Sequence, residues 1–249
     1  MFLESERRQG MEVKKLELML DKFSSKKIAV VGDLMLDEYI IGNVERISPE
    51  APVPVVNVKE EKLILGGAAN VISNLNSLGA NVQSYSVIGS DDNGRKLKEK
   101  LEDKLMSFDG LIEVEDRPTI MKKRILAHNQ QLLRMDWEKR HDISGKQEKV
   151  LFEKLKGDID NYDAVILSDY AKGTLTHTLV EDIIKLCKEK NKIVGVDPKP
   201  HNVKNYIGAT FMTPNIKETL ESFTKIDADQ RLKDLNKIGF ILRDELELD

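Results

Sequence analysis

Lys27-Ile-Ala-Val-Val-Gly-Asp33 is the stretch on which the fold turns. A short apolar run rich in β-branched residues stops at Gly-Asp, the pattern of a strand buried on both faces that delivers a polar residue at its carboxyl end. Runs of the same kind recur at Val82 to Ile88, Ala164 to Leu167, Lys192 to Val196 and Ala209 to Met212. Between them lie helical patterns, at Ala68 to Leu78, Asn93 to Leu105, Lys146 to Leu155 and Thr176 to Lys190. Buried strands alternating with amphipathic helices predict an α/β fold: a mostly parallel central sheet with helices on both faces, joined by right-handed crossovers.

Two stretches leave this rhythm. Residues 38–65 contain Tyr39-Ile-Ile, Pro52-Val-Pro-Val-Val-Asn-Val and Leu63-Ile-Leu, and residues 119–137 contain two short runs around Ala127-His-Asn-Gln130, which reads as a hairpin turn. These short pieces predict a small second sheet of antiparallel strands standing off the main one. Before the domain, Val13 to Phe23 places Leu16, Met19, Leu20 and Phe23 at helical spacing, so residues 1–25 read as an N-terminal extension and 26–249 as one α/β domain. At the other end, Asp227 to Asp249 reads as a helix with Leu232, Leu235, Ile238 and Leu242 on one face. A further strand would ordinarily follow it, so the expectation is an α/β domain lacking its C-terminal part.

Composition narrows the class. The 249 residues are 40% hydrophobic and 33% charged with a net charge of −4, which excludes a disordered chain and gives no basic field for nucleic acid or an acidic membrane. The single cysteine, Cys187, has no internal disulfide partner and reads as a buried core residue. Met1 to Gly10 is polar and no run is long enough to span a bilayer, so a cytoplasmic protein is expected.

In open α/β sheets ligands bind beyond the carboxyl ends of the strands. Here those ends are polar: Gly32-Asp33, Ser168-Asp169, Asp197-Pro198-Lys199 and Thr213-Pro214-Asn215. Converging carboxylates can hold the hydroxyls of a polyol, although each Asp alone also serves as a helix cap or turn former. Gly66-Gly67-Ala68-Ala69-Asn70 opens a helix with paired glycines that let a ligand approach the backbone, or that simply make a turn. Asn215 and Glu218 share one helix face and fit either a hydrated Mg²⁺ with nucleotide phosphates or an ordinary capping box. Lys122, Lys123, Arg124 and Arg134 on the second sheet are a solvated face unless that sheet folds over the crevice, where they suit an anion, with Lys172 and Lys199 as further cations. The histidines show no metal-ligand spacing, and no Walker phosphate loop occurs.

Together these motifs resemble the ribokinase-like (PfkB) carbohydrate kinases from about Lys26 onward. Gly66-Gly67-Ala68-Ala69-Asn70 resembles the sugar-binding pattern and Asn215-x-x-Glu218 the magnesium and phosphate motif. Three segments are similar to the kinase half of bifunctional heptose kinase/ADP-heptose synthases: Arg46 to Val55, Asn129-Gln-Gln-Leu-Leu-Arg134 and Leu167-Ser-Asp-Tyr-Ala-Lys-Gly173. The resemblance implies ATP-dependent phosphorylation of D-glycero-β-D-manno-heptose 7-phosphate at O1, on the route to lipopolysaccharide core. It implies that Asp33, Asp37, Gly66, Gly67, Asn70 and Asp169 hold the sugar, that Arg124, Asn129 and Lys172 hold its 7-phosphate, and that Asp197, Lys199, Asn215 and Glu218 face ATP, with Glu218 towards Mg²⁺.

The same resemblance makes the second sheet a lid that also forms a homodimer. It places the general base in a Gly-Ala-Gly-Asp segment expected beyond Asp249, so no catalytic residue is assigned and the chain alone is expected to be inactive. Two other functions fit the same residues: a kinase for another sugar phosphate, such as a hexose phosphate, or a sugar-phosphate-binding or dimerisation remnant without turnover.

Overall fold

The computed structural model describes residues 17–226 and 234–249. Among the described residues ten strands form two sheets. β1 (Lys27–Gly32), β4 (Asn81–Gly89), β5 (Ser107–Val114), β8 (Ala164–Ser168), β9 (Ile193–Asp197) and β10 (Phe211–Met212) make a six-stranded sheet in the order β10-β9-β8-β1-β4-β5, parallel throughout. The helices are α1 (Ala68–Ser77), α2 (Asp92–Glu102), α3 (Gly145–Asp158), α4 (His177–Glu189), α5 (Ile216–Ile226) and α6 (Leu235–Glu245).

Lys27–Gly32 is central because both its faces are apolar. Ala29 and Val31 enter one core with Tyr85, Val165, Leu167, Val194, Val196 and the inner faces of α3 and α4. Val30 enters the opposite core with Val82, Ile88, Ile72 of α1, and Leu97 and Leu101 of α2. A strand that alternates between two cores must lie inside a sheet covered on both sides, which is what its continuous apolar run implied. Cys187 is fully buried in the first core, and burial pushes its thiol up to about 12, so it stays protonated.

The second sheet has the order β3-β2-β6-β7, from β2 (Leu34–Ile47), β3 (Pro54–Gly67), β6 (Ile120–Ala127) and β7 (Gln130–Trp137). It differs from the expectation in two ways. The three fragments read in residues 38–65 belong to two 14-residue strands: Tyr39-Ile-Ile lies in β2, and the other two stretches both lead into β3. And β2 pairs with β6 in parallel, so the lid is not purely antiparallel. The hairpin turn is where it was expected: His128 and Asn129 both take positive φ, 50° and 62°, the backbone of a type I′ turn.

Elsewhere, β5 went unread, since its alternating Ser107-Phe-Asp-Gly-Leu-Ile-Glu-Val114 lies on the sheet edge with one partner only. β10 is shorter than Ala209 to Met212. Of the terminal helices expected, Leu16 and Leu232 lie outside the described residues; residues 17–21 are helical, and Ile238 and Leu242 of α6 pack on Phe223. Among the described residues no helix is long and apolar enough to cross a membrane.

Candidate active site

The loops at the strand ends and the lid meet at one site: Glu138, just past β7, pairs with Lys172 of the loop after β8. The floor of the site is organised by Asp33, fully buried just past β1. The Asp33 carboxylate accepts from the backbone N–H groups of Tyr170 (3.1 Å), Lys172 (3.0 Å) and Thr174 (3.0 Å) and so shapes the whole loop after β8. Burial and the neighbouring Asp169 charge push its carboxyl up, while the bonds from Lys172 and Thr174 pull it back. With its oxygens spent on the loop, Asp33 is placed as the scaffold of the site and not at its surface.

Asp169, at the end of β8, is similarly enclosed. It accepts from Ala171 N–H (2.6 Å), the Asn202 amide (2.7 Å) and the Tyr206 hydroxyl (2.5 Å). Burial, then the Asp169 charge and hydrogen bond, raise the Tyr206 phenol, so it stays a donor. Asp197 ends β9 half-buried beside Lys199, its carboxyl raised by burial against the pull of that ammonium.

Lys199 Nζ pairs with Glu218 Oε1 at 2.8 Å and lies 5.4 Å from the centre of the Tyr170 ring. Asn215 and Glu218 form the reciprocal cap allowed for in the sequence: Glu218 N–H donates to Asn215 Oδ1 (2.9 Å) and Asn215 N–H to Glu218 Oε2 (3.0 Å). Burial alone would raise the Glu218 carboxyl, but Lys199 and the Asn215 N–H hold it below its usual range. Glu218 Oε1 is held by Lys199 and Oε2 by the Asn215 N–H, so a cation bound here would displace Lys199 and take most of its oxygens from phosphates and water. Among the described residues no cluster of three acidic, His or Cys side chains forms a self-sufficient metal cage.

From the lid side come Asp37 and Arg124, neighbouring-strand residues joined in an ion pair. Gly66 leaves room for the Asp37 carboxylate: a Cβ would lie 2.2 Å from Asp37 Oδ2, which would have to move. Gly67 has φ +55°, ψ −136°, a backbone only glycine adopts freely, and a Cβ there would meet the Asp33 carbonyl at 2.6 Å. Asn70 stands exposed on the first turn of α1. Lys172 is held by Glu138 (2.9 Å to Oε1, 2.8 Å to Oε2).

Asn129 occupies the hairpin turn past the end of β6, on the order of 15 Å along the strand from Arg124 at the usual rise per residue, so the structure does not bring these two together. Sequence reading passed over several residues that build the site. Arg117, 7% exposed, donates through one Nη to the carbonyls of Lys139 (3.2 Å), His141 (2.8 Å) and Lys172 (2.9 Å), bolting the lid entrance to the loop after β8. Glu138, Asn202 and Tyr206 had no motif to mark them; only the fold makes them neighbours of Lys172 and Asp169.

Against known proteins, the model of the pfkB family carbohydrate kinases matches residues 25–243. The chain belongs to the pfkB family of carbohydrate kinases. It is 46% identical over 222 residues to the bifunctional protein HldE of Wolinella succinogenes, covering 89% of this chain and 46% of that one. With HldE of Sulfurimonas denitrificans it shares 45% over 206 residues, 83% of this chain and 43% of the relative. The chain thus spans about half the length of these curated relatives. Among solved structures it is similar in fold to phosphofructokinase-2 from Escherichia coli (TM-score 0.66, 15% identity, 90% of this chain and 70% of that one). It is also similar to Arabidopsis thaliana ribokinase, solved with ribose and ATP (TM-score 0.60, 14% identity, 88% and 69%). The fold is therefore ribokinase-like, an α/β sheet with a small β lid.

Proposed function

We propose that this chain binds a sugar phosphate and ATP–Mg²⁺ as the kinase part of a D-glycero-β-D-manno-heptose 7-phosphate 1-kinase. The observation that carries the reading is the division of charge between the lid and the strand ends. The lid carries Arg124 and the loop after β8 carries Lys172, while the strand ends carry the half-buried Asp197 and the Lys199–Glu218 pair. Hydroxyls suit the carboxylates, a terminal phosphate suits the lid cations, and nucleotide phosphates suit the lysine beside Glu218. Sequence identity of 45–46% to HldE proteins, and the motifs Arg46 to Val55 and Leu167 to Gly173, favour heptose over a hexose phosphate.

In this reading the sugar lies with its phosphate under the lid and its reacting hydroxyl towards Glu218 and Lys199. Lid closure excludes water, which would otherwise compete for the phosphoryl group. ATP supplies that group, and Mg²⁺ near Glu218 offsets its charge. Residues 1–249 contain no Gly-Ala-Gly-Asp sequence, so the reading assigns substrate binding, and not the general base, to this chain.

Isothermal titration tests it. Micromolar binding of heptose 7-phosphate, with a fructose or glucose phosphate at least about tenfold weaker, is expected. Equal affinity for the hexose phosphate would remove the heptose assignment. Phosphoryl transfer at ordinary kinase rates by this chain alone would overturn the assignment of the base elsewhere.

A further inference from the structure

On one face of the lid the carboxylates are all taken and one cation is left over. β2 and β6 align Asp37 with Lys122 and Tyr39 with Arg124, and β6 and β7 align Lys122 with Asp136 and Arg124 with Arg134. Cross-strand neighbours and residues two apart on a strand share a face, so these side chains form one patch. Asp37 is paired with Arg124. Asp136 takes Arg134 through Nε (2.8 Å) and Nη2 (3.0 Å). Glu138, next along, takes both Lys172 and Arg140. Lys122 sits between these pairs, and among the described residues no carboxylate lies within ion-pair distance of its Nζ.

Its neighbour Lys123 shows the contrast. That side chain points to the other face, where it meets Glu38 at 2.6 Å and lies over the Trp137 ring at 5.9 Å. Lys122 is also partly buried but has no such partner. Burial, and then the ammonium of Lys172, make its charge costly, against the pull of Glu138, Asp136 and Asp37. Lys172 reaches the same patch through Glu138, two residues past the Asp136 that stands opposite Lys122. Arg117 and Asp33 hold the Lys172 backbone from its carbonyl and its N–H, so Lys172 is presented to the lid at a fixed place.

We propose that Lys122 is a ligand of the sugar's terminal phosphate and, with Arg124 and Lys172, forms a three-cation seat for a phosphate monoester dianion. The proposal rests on the sugar-phosphate reading above and adds a residue to it. A dianion would give Lys122 the direct ion pair that Asp37, Asp136 and Glu138, each already paired with another cation, do not make with it. Both lid strand and loop must then close on the same group, so the phosphate itself fastens the lid to the strand-end side.

The test is titration of the whole chain and of Lys122→Met with three probes: heptose 7-phosphate, the unphosphorylated heptose and inorganic phosphate. Lys122→Met is expected to weaken heptose 7-phosphate about 10- to 100-fold while leaving the unphosphorylated sugar unchanged, and Lys122→Arg to restore most of the loss. In the wild type, the Lys122 side-chain NMR signal is expected to shift on adding either heptose 7-phosphate or, at higher concentration, inorganic phosphate. That second readout stands even if Lys122→Met folds poorly. Full binding by Lys122→Met, with Arg124→Met impaired, overturns the role of Lys122 and leaves the sugar-phosphate reading intact. A wild type that binds phosphorylated and unphosphorylated sugar equally overturns that reading, and the seat with it.

Discussion

Asp33 and Asp37 stand four residues apart, one closing a strand of the main sheet and the other opening the lid, and the structure uses them in opposite ways. Asp33 is fully buried and spends its oxygens on three backbone N–H groups of one loop. Asp37 keeps 17% of its side chain exposed and meets the mobile end of a long side chain, Arg124, itself 21% exposed. An acid that holds backbone can be lost only with the loop it shapes. An acid that holds an arginine tip can exchange that partner for a hydroxyl or release it to a phosphate. The main sheet therefore builds the site, and the lid supplies the groups that can change partners on binding.

The largest effect that would break this comparison is on stability. Asp33→Ala leaves three N–H groups without an acceptor in a dry place and is expected to cost about 3–5 kcal/mol, read as a lower urea midpoint. A near-wild-type midpoint would mean that the loop after β8 is held by something other than Asp33. Arg124→Met should act the other way round, changing stability by about 1 kcal/mol or less while weakening heptose 7-phosphate at least about tenfold by titration calorimetry. Unfolding by Arg124→Met, with binding intact in what remains folded, would make the lid pair structural too.

The smallest effect sharpens the picture at the nucleotide end. The Glu218 carboxyl is held below the 4.5 of an ordinary glutamate by Lys199 and the Asn215 N–H, which outweigh its burial. A depressed value contributes stability that is fully present above about pH 4.5 and is lost as the pH falls through the lower native value. Glu218→Gln is expected to flatten part of the acid limb of a stability–pH curve below that point while leaving the neutral region little changed. An unchanged acid limb would show that the Lys199–Glu218 pair does not couple to folding.

Much was legible in the chain because strand and helix periods are local. Lys27 to Asp33, the four helices from Ala68 to Lys190 and the hairpin at His128-Asn129 follow from side-chain alternation, apolar spacing and turn chemistry alone. The cap between Asn215 and Glu218 was legible for the same reason, since its two hydrogen bonds span three residues. Tertiary structure decided the rest, for reasons of distance along the chain. The parallel pairing of β2 with β6 joins residues more than eighty positions apart, as in Asp37 with Lys122, and no local pattern encodes it. The same holds for Arg117 reaching Lys172 and for Tyr206 reaching Asp169, where a buried donor meets its acceptor only once the sheet has formed. The sequence by itself determined which residue types end each strand. Which of those ends became scaffold and which became binding surface was decided by burial, since a carboxylate sealed from water is kept by backbone donors and one left at the rim stays free to trade partners.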